Sequence, residues 1–232
     1  MRRDDEDEVR RLPLLANLGE PQLIILLKSA FLQRFPAHVD LVRENEPADF
    51  LYVAVDGLIE LFAACRDRET TVAVLEAGQS FGVAAVLLDR VYLKSARTLA
   101  PSRMLMMPSD AVRHVFETDA VFARAIAVEL ALAYRTDVKD IKNQKLRSGL
   151  ERLANWLLSR DRESGSTGQF DLPFDKKILA SRLGMAPEVL SRTLGTLADF
   201  HVEVSGRHVT LRDRAALERL AKPSPTIDDP ST

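Results

Sequence analysis

The sequence predicts an α+β fold in three parts: a β-barrel or jelly roll, a long helix, and a C-terminal helix-turn-helix with a hairpin after it. Three observations carry this. Short apolar bursts broken by turn residues run from Phe35 to Met107, the texture of a many-stranded β-domain. One long helical pattern follows, from about Asp119 to Leu146. The stretch LASRLGMAPEVLSRTLGTL, Leu179 to Leu197, then sets two short helical patterns around one glycine, the plan of a helix-turn-helix.

In chain order, Leu18 to Phe31 reads as a short helix. The expected strands are Phe50–Val55, Leu58–Ala63, Thr71–Leu75, Val91–Thr98 and Met104–Met107, broken by Gly57, the cluster from Arg66 to Glu69, Gly78 and Pro101. Ser109-Asp110 offers a cap for a short helix to about Glu117. In the long helix, Ala127, Ala131, Tyr134, Val138 and Ile141 alternate at spacings of four and three, the seam of a paired helix. Phe122, Ile126 and Leu130 form a second stripe that can pack on the chain's own barrel. Leu150–Arg160 begins another helix, and Ser164 to Gly168 is a loop. Val202–Leu211 reads as a hairpin turning at Ser205-Gly206. The tail PSPTIDDPST is proline-rich and polar, and is expected without order. The expected divisions are therefore a β-domain over 1–118, a dimerisation helix over 119–146, a DNA-binding domain over 147–222 and a disordered tail over 223–232.

Composition narrows the function. At 232 residues with 46% apolar and 28% charged side chains, the chain has room for two modest domains. Net charge is -2, but residues 147–222 carry 13 Lys/Arg against 10 Asp/Glu. That asymmetry favours a nucleic-acid-facing C-terminal half. No apolar run approaches the roughly 18 residues of a membrane span, and the acidic MRRDDEDEVRR start lacks a signal-peptide core. A cytoplasmic location without membrane partners is expected. Cys65 is the single cysteine. It excludes an intrachain disulfide and a cluster held by about four thiolates of one chain, and it reads as a strand or loop residue.

The helix-turn-helix carries the chemistry. Helices are expected over Lys176–Leu183 and Pro187–Asp199, with Gly184 where a tight turn needs positive φ and Ala180 small enough for a close crossing. Pro187 suits a first helical turn, where its missing N–H is not needed. Leu190, Leu194 and Leu197 share one face of the second helix, and Glu188, Ser191 and Arg192 the other. A recognition helix needs short and bidentate groups near its N-terminus, the end that enters the major groove. Arginine donates twice to guanine, glutamate accepts from cytosine N4, and serine adapts. Lys176, Lys177, Arg182, Arg207 and His208 are the candidate phosphate contacts, which position without specifying. A plain core hairpin is the competing reading of the same stretch.

With these residues in place, the chain resembles the bacterial CRP/FNR superfamily of transcription regulators from about Leu14 to Leu220. Glu188-Val189-Leu190-Ser191-Arg192 resembles the E-x-x-S-R recognition motif of its FNR-type members. EPADFLYVAVDGLIELF and LEAGQSFG carry the likeness in the barrel, which the resemblance makes a cyclic-nucleotide-binding-like, effector-sensing jelly roll. The resemblance implies that Glu188, Ser191 and Arg192 contact base edges of a TTGA-like half-site. CRP-type members have an arginine where this chain has Pro187, which argues against a CRP-like operator. It also implies a homodimer, a small-molecule effector and, for an activator, RNA polymerase as partner.

The effector is left open. Where cyclic-nucleotide-binding relatives hold the ribose with glutamate and the phosphate with arginine-serine, FGVAAVLLDRVYLKSARTL offers Val83 and Lys94-Ser95. Valine accepts no hydroxyl, and lysine lacks the bidentate fork, so cyclic AMP is not expected; Lys94 can still meet a smaller anion or simply sit at the barrel rim. An iron–sulfur cluster is not expected for want of cysteines. Haem sensing stays open, because the texture is similar to the Dnr-type nitric-oxide regulators; His38 and His114 are its candidate ligands. The resemblance places the effector near Gly82, Val83, Lys94, Ser95, Tyr134, Asp137 and Val138, where it would bias a pre-existing equilibrium of the helix dimer. No metal site is expected.

Two other function classes compete. A cyclic-nucleotide-like sensor module could use its helical C-terminus to bind a protein partner. An enzyme has less behind it: the chain has no P-loop, G-x-S-x-G or H-E-x-x-H, and its four histidines are scattered.

Overall fold

The computed structural model describes residues 3–66 and 68–229. They form two compact units that divide between Ala133 and Tyr134, inside the long helix. That helix, expected as a segment of its own, is thus shared between the units.

The first unit opens with helices α1 (Arg3–Val9) and α2 (Glu20–Lys28). Eight strands follow: β1 (Phe31–Phe35), β2 (Asp40–Val42), β3 (Phe50–Asp56), β4 (Ile59–Cys65), β5 (Arg68–Leu75), β6 (Ser80–Phe81), β7 (Ser95–Thr98) and β8 (Ser102–Pro108), with the short helix α3 (Val83–Leu87) between β6 and β7. They make two four-stranded antiparallel sheets, ordered β1-β8-β3-β6 and β2-β7-β4-β5. Leu51, Val53, Met104, Leu105 and Met107 from one sheet meet Ile59, Leu61 and Ala96 from the other in a single core. Each of the Leu, Val, Ile and Met side chains, when fully buried, contributes about 1.5–3 kcal/mol.

Helix α4 (Ser109–Thr118) closes this unit with Val112 and Val115 buried. Helix α5 (Ala120–Leu146) then starts on it, with Phe122 and Ile126 fully buried one turn apart and Leu130 packed behind them. This is the second stripe read in the sequence. Inside the core, Tyr52 stacks on Phe81 with ring centroids 4.7 Å apart, and the Tyr92 hydroxyl donates to the Phe50 carbonyl at 2.6 Å. Burial pushes the Tyr52 phenol up to about 12 and raises that of Tyr92 as well.

In the second unit, α6 (Gly149–Glu163) starts at a capping box, in which Ser148 and Glu151 satisfy each other's backbone amides. Its face of Leu153, Ala154, Leu157 and Leu158 is buried, and it packs against α9 (Arg214–Ala221). Between them come β9 (Gln169–Asp171), α7 (Lys176–Arg182), α8 (Pro187–Thr196), a 3-10 turn (Leu197–Phe200), β10 (Val202–Ser205) and β11 (His208–Leu211). The three strands form one sheet, ordered β10-β11-β9. The buried Asp161 accepts from the Gly168 amide at 2.8 Å and from Arg214, tying the wing sheet's approach to α6 and α9.

Three expectations need correction. The helix expected over Leu18–Phe31 stops at Lys28, and Phe31 instead opens β1, paired along its whole length with β8. The strand expected from Val91 is confined to Ser95–Thr98, with one isolated bridge between Val91 and Pro47; Leu88 and Leu93 on either side are exposed. The tail is ordered as far as Asp229: α10 (Pro225–Asp228) forms, held by lysines of α5, by Arg147 between α5 and α6, and by Arg162 of α6. Polar composition predicted disorder, but the acidic and hydroxyl groups of that tail find cationic partners. The expectation for residues 230–232 lies outside the described residues.

Candidate nucleic-acid interface

Helix α8 begins at Pro187 in its first turn, as φ-locked proline permits. Leu190 and Leu197 are buried, Leu194 is partly covered, and Glu188, Ser191 and Arg192 are all exposed. The apolar side anchors the helix and leaves the three polar side chains in solvent near its N-terminus. α7 packs against α8, and Ala180, fully buried, provides the close approach. Gly184 between them has φ +64°, and a Cβ there would collide with the Gln144 side chain of α5. The turn therefore favours glycine by its positive φ, while the exposed Gln144 side chain could move aside for a Cβ. Arg152 also holds this turn: its Nε donates to the Leu183 carbonyl at 2.8 Å and one terminal nitrogen to the Gly184 carbonyl at 3.5 Å, while the other donates to the Arg147 carbonyl at 2.7 Å. Burial lowers the pKa of that guanidinium. Sequence reading passed over Arg152, Asp140 and Gln144, because nothing in local spacing shows which helix a distant turn will meet.

The five candidate phosphate contacts separate into two groups. Lys176 and Lys177 are exposed in the first turn of α7. The other three have protein partners. Arg182 donates to the Asp140 carboxylate at 2.7 Å. Arg207 sends Nε and a terminal nitrogen to the Leu172 carbonyl at 3.0 and 2.7 Å. The His208 ring nitrogen lies 3.0 Å from Asp171. Glycine with φ +62° at position 206 turns the wing between β10 and β11.

On α5, Ala127, Ala131, Tyr134, Val138 and Ile141 are all exposed, with Tyr134 at 70% and Ile141 at 54%. Neighbouring Val128 and Leu132 are exposed too. Together they leave an apolar stripe of α5 exposed within the single chain.

The expected effector positions Gly82, Val83 and Ser95 lie at the start of α3 and of β7. Val83 is buried, and the Ser95 hydroxyl, also buried, accepts the Glu44 amide at 2.9 Å. Gly82 caps α3 with φ +91°, where a Cβ would stand 3.0 Å from the Tyr92 ring. Glycine there leaves room for the Tyr92 ring. Lys94 is half-buried; Tyr134, Asp137 and Val138 lie on the part of α5 that belongs to the second unit. His38 is exposed in a left-handed turn and His114 is exposed on α4. Among the described residues no group of His, Cys, Asp and Glu could hold a metal ion. No helix among them is long and apolar enough to cross a membrane.

Comparison with known proteins follows this geometry. The cyclic nucleotide-binding domain model matches residues 32–119, and the Crp-like helix-turn-helix domain model matches residues 151–220. The chain belongs to the CRP/FNR superfamily. This CRP/FNR member is 25% identical over 224 residues to the nitrogen fixation regulation protein FixK of Azorhizobium caulinodans, covering 93% of this chain and 84% of that one. Its fold is similar to FixK2 from Bradyrhizobium japonicum, with a TM-score of 0.74 at 23% identity over 84% of this chain and 98% of the other. It is also similar to the c-di-GMP-responsive regulator CLP of Xanthomonas campestris, with a TM-score of 0.72 at 19% identity over 84% and 100%. This CRP/FNR protein is a DNA-binding transcription regulator, in a family that is not enzymatic.

Proposed function

We propose that the chain acts as a homodimer that reads an FNR-like palindrome of TTGA-type half-sites, under control of a small effector other than cyclic AMP. The observation that carries this reading is the division of α8. Leu190 is committed to the core and Leu194 is partly covered, while Glu188, Ser191 and Arg192 stand together in solvent at the end that enters a major groove. Arg192 would take guanine through its fork, Glu188 would accept from cytosine, and Ser191 would adapt to either. Lys176 and Lys177 would hold the flanking phosphates. The exposed stripe on α5 supports pairing of two copies, which sets two recognition helices about one duplex turn apart, roughly 34 Å. Val83 and the engaged Ser95 support an effector without a ribose or cyclic phosphate.

The test is titration of labelled duplexes carrying a TTGA palindrome, single-base variants of it and an unrelated sequence. The reading expects specific binding with strong salt dependence, and loss of discrimination at defined bases in Arg192→Ala and Glu188→Ala. Binding insensitive to sequence, to salt and to both substitutions would point to a protein partner at the C-terminal domain instead.

A further inference from the structure

The segment after α9 is tied down at several points. Ser224 caps α10 through its backbone, and its amide donates to the Asp228 carboxylate at 2.6 Å. Asp228 then receives both terminal nitrogens of Arg147, at 2.7 and 2.5 Å, with the two side chains only 14% and 7% exposed. Lys142 donates to the Thr226 hydroxyl at 2.6 Å, and Lys139 to the Asp229 carbonyl at 2.6 Å. From the far side, Arg162 of α6 donates to the Asp228 carbonyl at 3.0 Å.

The position of these contacts gives them meaning. Arg147 and Ser148 are the whole connection between α5 and α6, so the direction of the DNA-binding domain on the long helix turns on two residues' backbone dihedrals. The tail touches α5 through Lys139 and Lys142, the joint through Arg147, and α6 through Arg162. It therefore spans the joint from one element to the next. A neighbouring face of α5 makes a second attachment, through Asp140 to Arg182 and Gln144 to the Arg182 carbonyl at 3.5 Å. Burial opposes the ionisation of Asp228, but the hydrogen bonds from Arg147 and Ser224 outweigh it and hold its pKa below the ordinary value.

We infer that residues 223–229 are a strap that fixes the angle between the end of the long helix and the DNA-binding domain, with the Asp228–Arg147 pair as its clasp. Its consequence for DNA rests on the dimer reading above. Two recognition helices bind one palindrome together only if each keeps its angle to the shared helix pair, so a slack joint lowers the effective concentration of the second domain. A single half-site asks nothing of that angle.

The test uses the full chain, the same chain stopped after Lys222, Asp228→Asn, and Asp228→Glu as the charge-keeping variant. Amide hydrogen exchange is followed across 140–220, and affinity is measured for a palindrome and for a lone half-site. Asp228→Asn and the shortened chain should speed exchange at the joint, residues 144–148, on the order of tenfold, with Asp228→Glu closer to the parent. Palindrome affinity should fall while half-site affinity holds. Unchanged exchange at the joint in both the Asn variant and the shortened chain overturns the strap, whatever DNA binding shows. Exchange that quickens evenly across 150–220 also overturns it, because the tail would then be a general stabiliser. Faster joint exchange with unaltered palindrome affinity upholds the strap and counts against the dimer reading instead.

Discussion

Arg182 of α7 donates to Asp140 of α5 at 2.7 Å, and both side chains keep part of their surface in water. Such a pair contributes about 0–1 kcal/mol to stability, so its carboxylate competes for the arginine rather than locking it. Asp140→Asn should leave the melting temperature nearly unchanged and release the guanidinium to DNA. The slope of log affinity against log salt should then steepen by about 1. An unchanged slope in anisotropy titrations would keep Arg182 off the phosphates.

Arg192→Ala should cost about 1–3 kcal/mol of discrimination at one base position. Because the side chain is exposed and has no share in the core, stability should stay within about 0.5 kcal/mol of the parent. A panel of single-base operator variants identifies the position, and a uniform loss across the panel would make Arg192 a phosphate contact.

Val138→Glu combined with Ile141→Glu places two carboxylates in the exposed stripe of α5. Neither parent side chain is buried within its own chain, so the single chain should fold normally. Sedimentation should shift from dimer to monomer, with palindrome affinity falling alongside. Persistence of the dimer would move the interface away from this seam.

Arg207→Ala should act on stability before it acts on DNA. Two nitrogens of Arg207 satisfy the buried Leu172 carbonyl region, and losing them should cost about 1–3 kcal/mol. Denaturant titration measures this. A salt slope reduced by about 1 with stability intact would reverse the assignment and put the side chain on a phosphate.

Glu129 supplies a pH test. Burial raises its pKa, and the Ser80 hydroxyl that it accepts from offsets this only in part. A carboxyl whose pKa is raised on folding binds its proton more tightly in the native state. Its contribution is therefore full below the unfolded carboxylate range and is lost as pH rises through the raised folded value. Glu129→Gln should flatten the stability profile just above the ordinary carboxylate range. An unaltered profile there would mean that Glu129 does not titrate differently in the folded chain.

Legibility followed the range of the interactions concerned. Gly184 could be read because its φ is a property of the local backbone, and Pro187 because a first helical turn needs no N–H from it. β1 escaped because FLQRF has no strong alternation of its own and becomes a strand only by pairing with β8, some seventy residues on. Strands β2, β6 and β9 are too short to leave a period. For Arg182, Arg207 and His208 the sequence shows a polar side chain but not the carboxylate or carbonyl beside it, so their protein partners are visible only in the fold.

The sequence by itself determined the two-domain plan, the helix-turn-helix and its three base-reading candidates, since apolar periodicity, turn glycines and side-chain chemistry are all written within a few residues of each other. Tertiary structure alone decided which cations are already engaged, that the Tyr92 ring packs beside Gly82, and that the acidic tail closes on Arg147. Each of those depends on atoms brought together from distant parts of the chain, whose attraction falls with distance in space and has no counterpart in sequence separation.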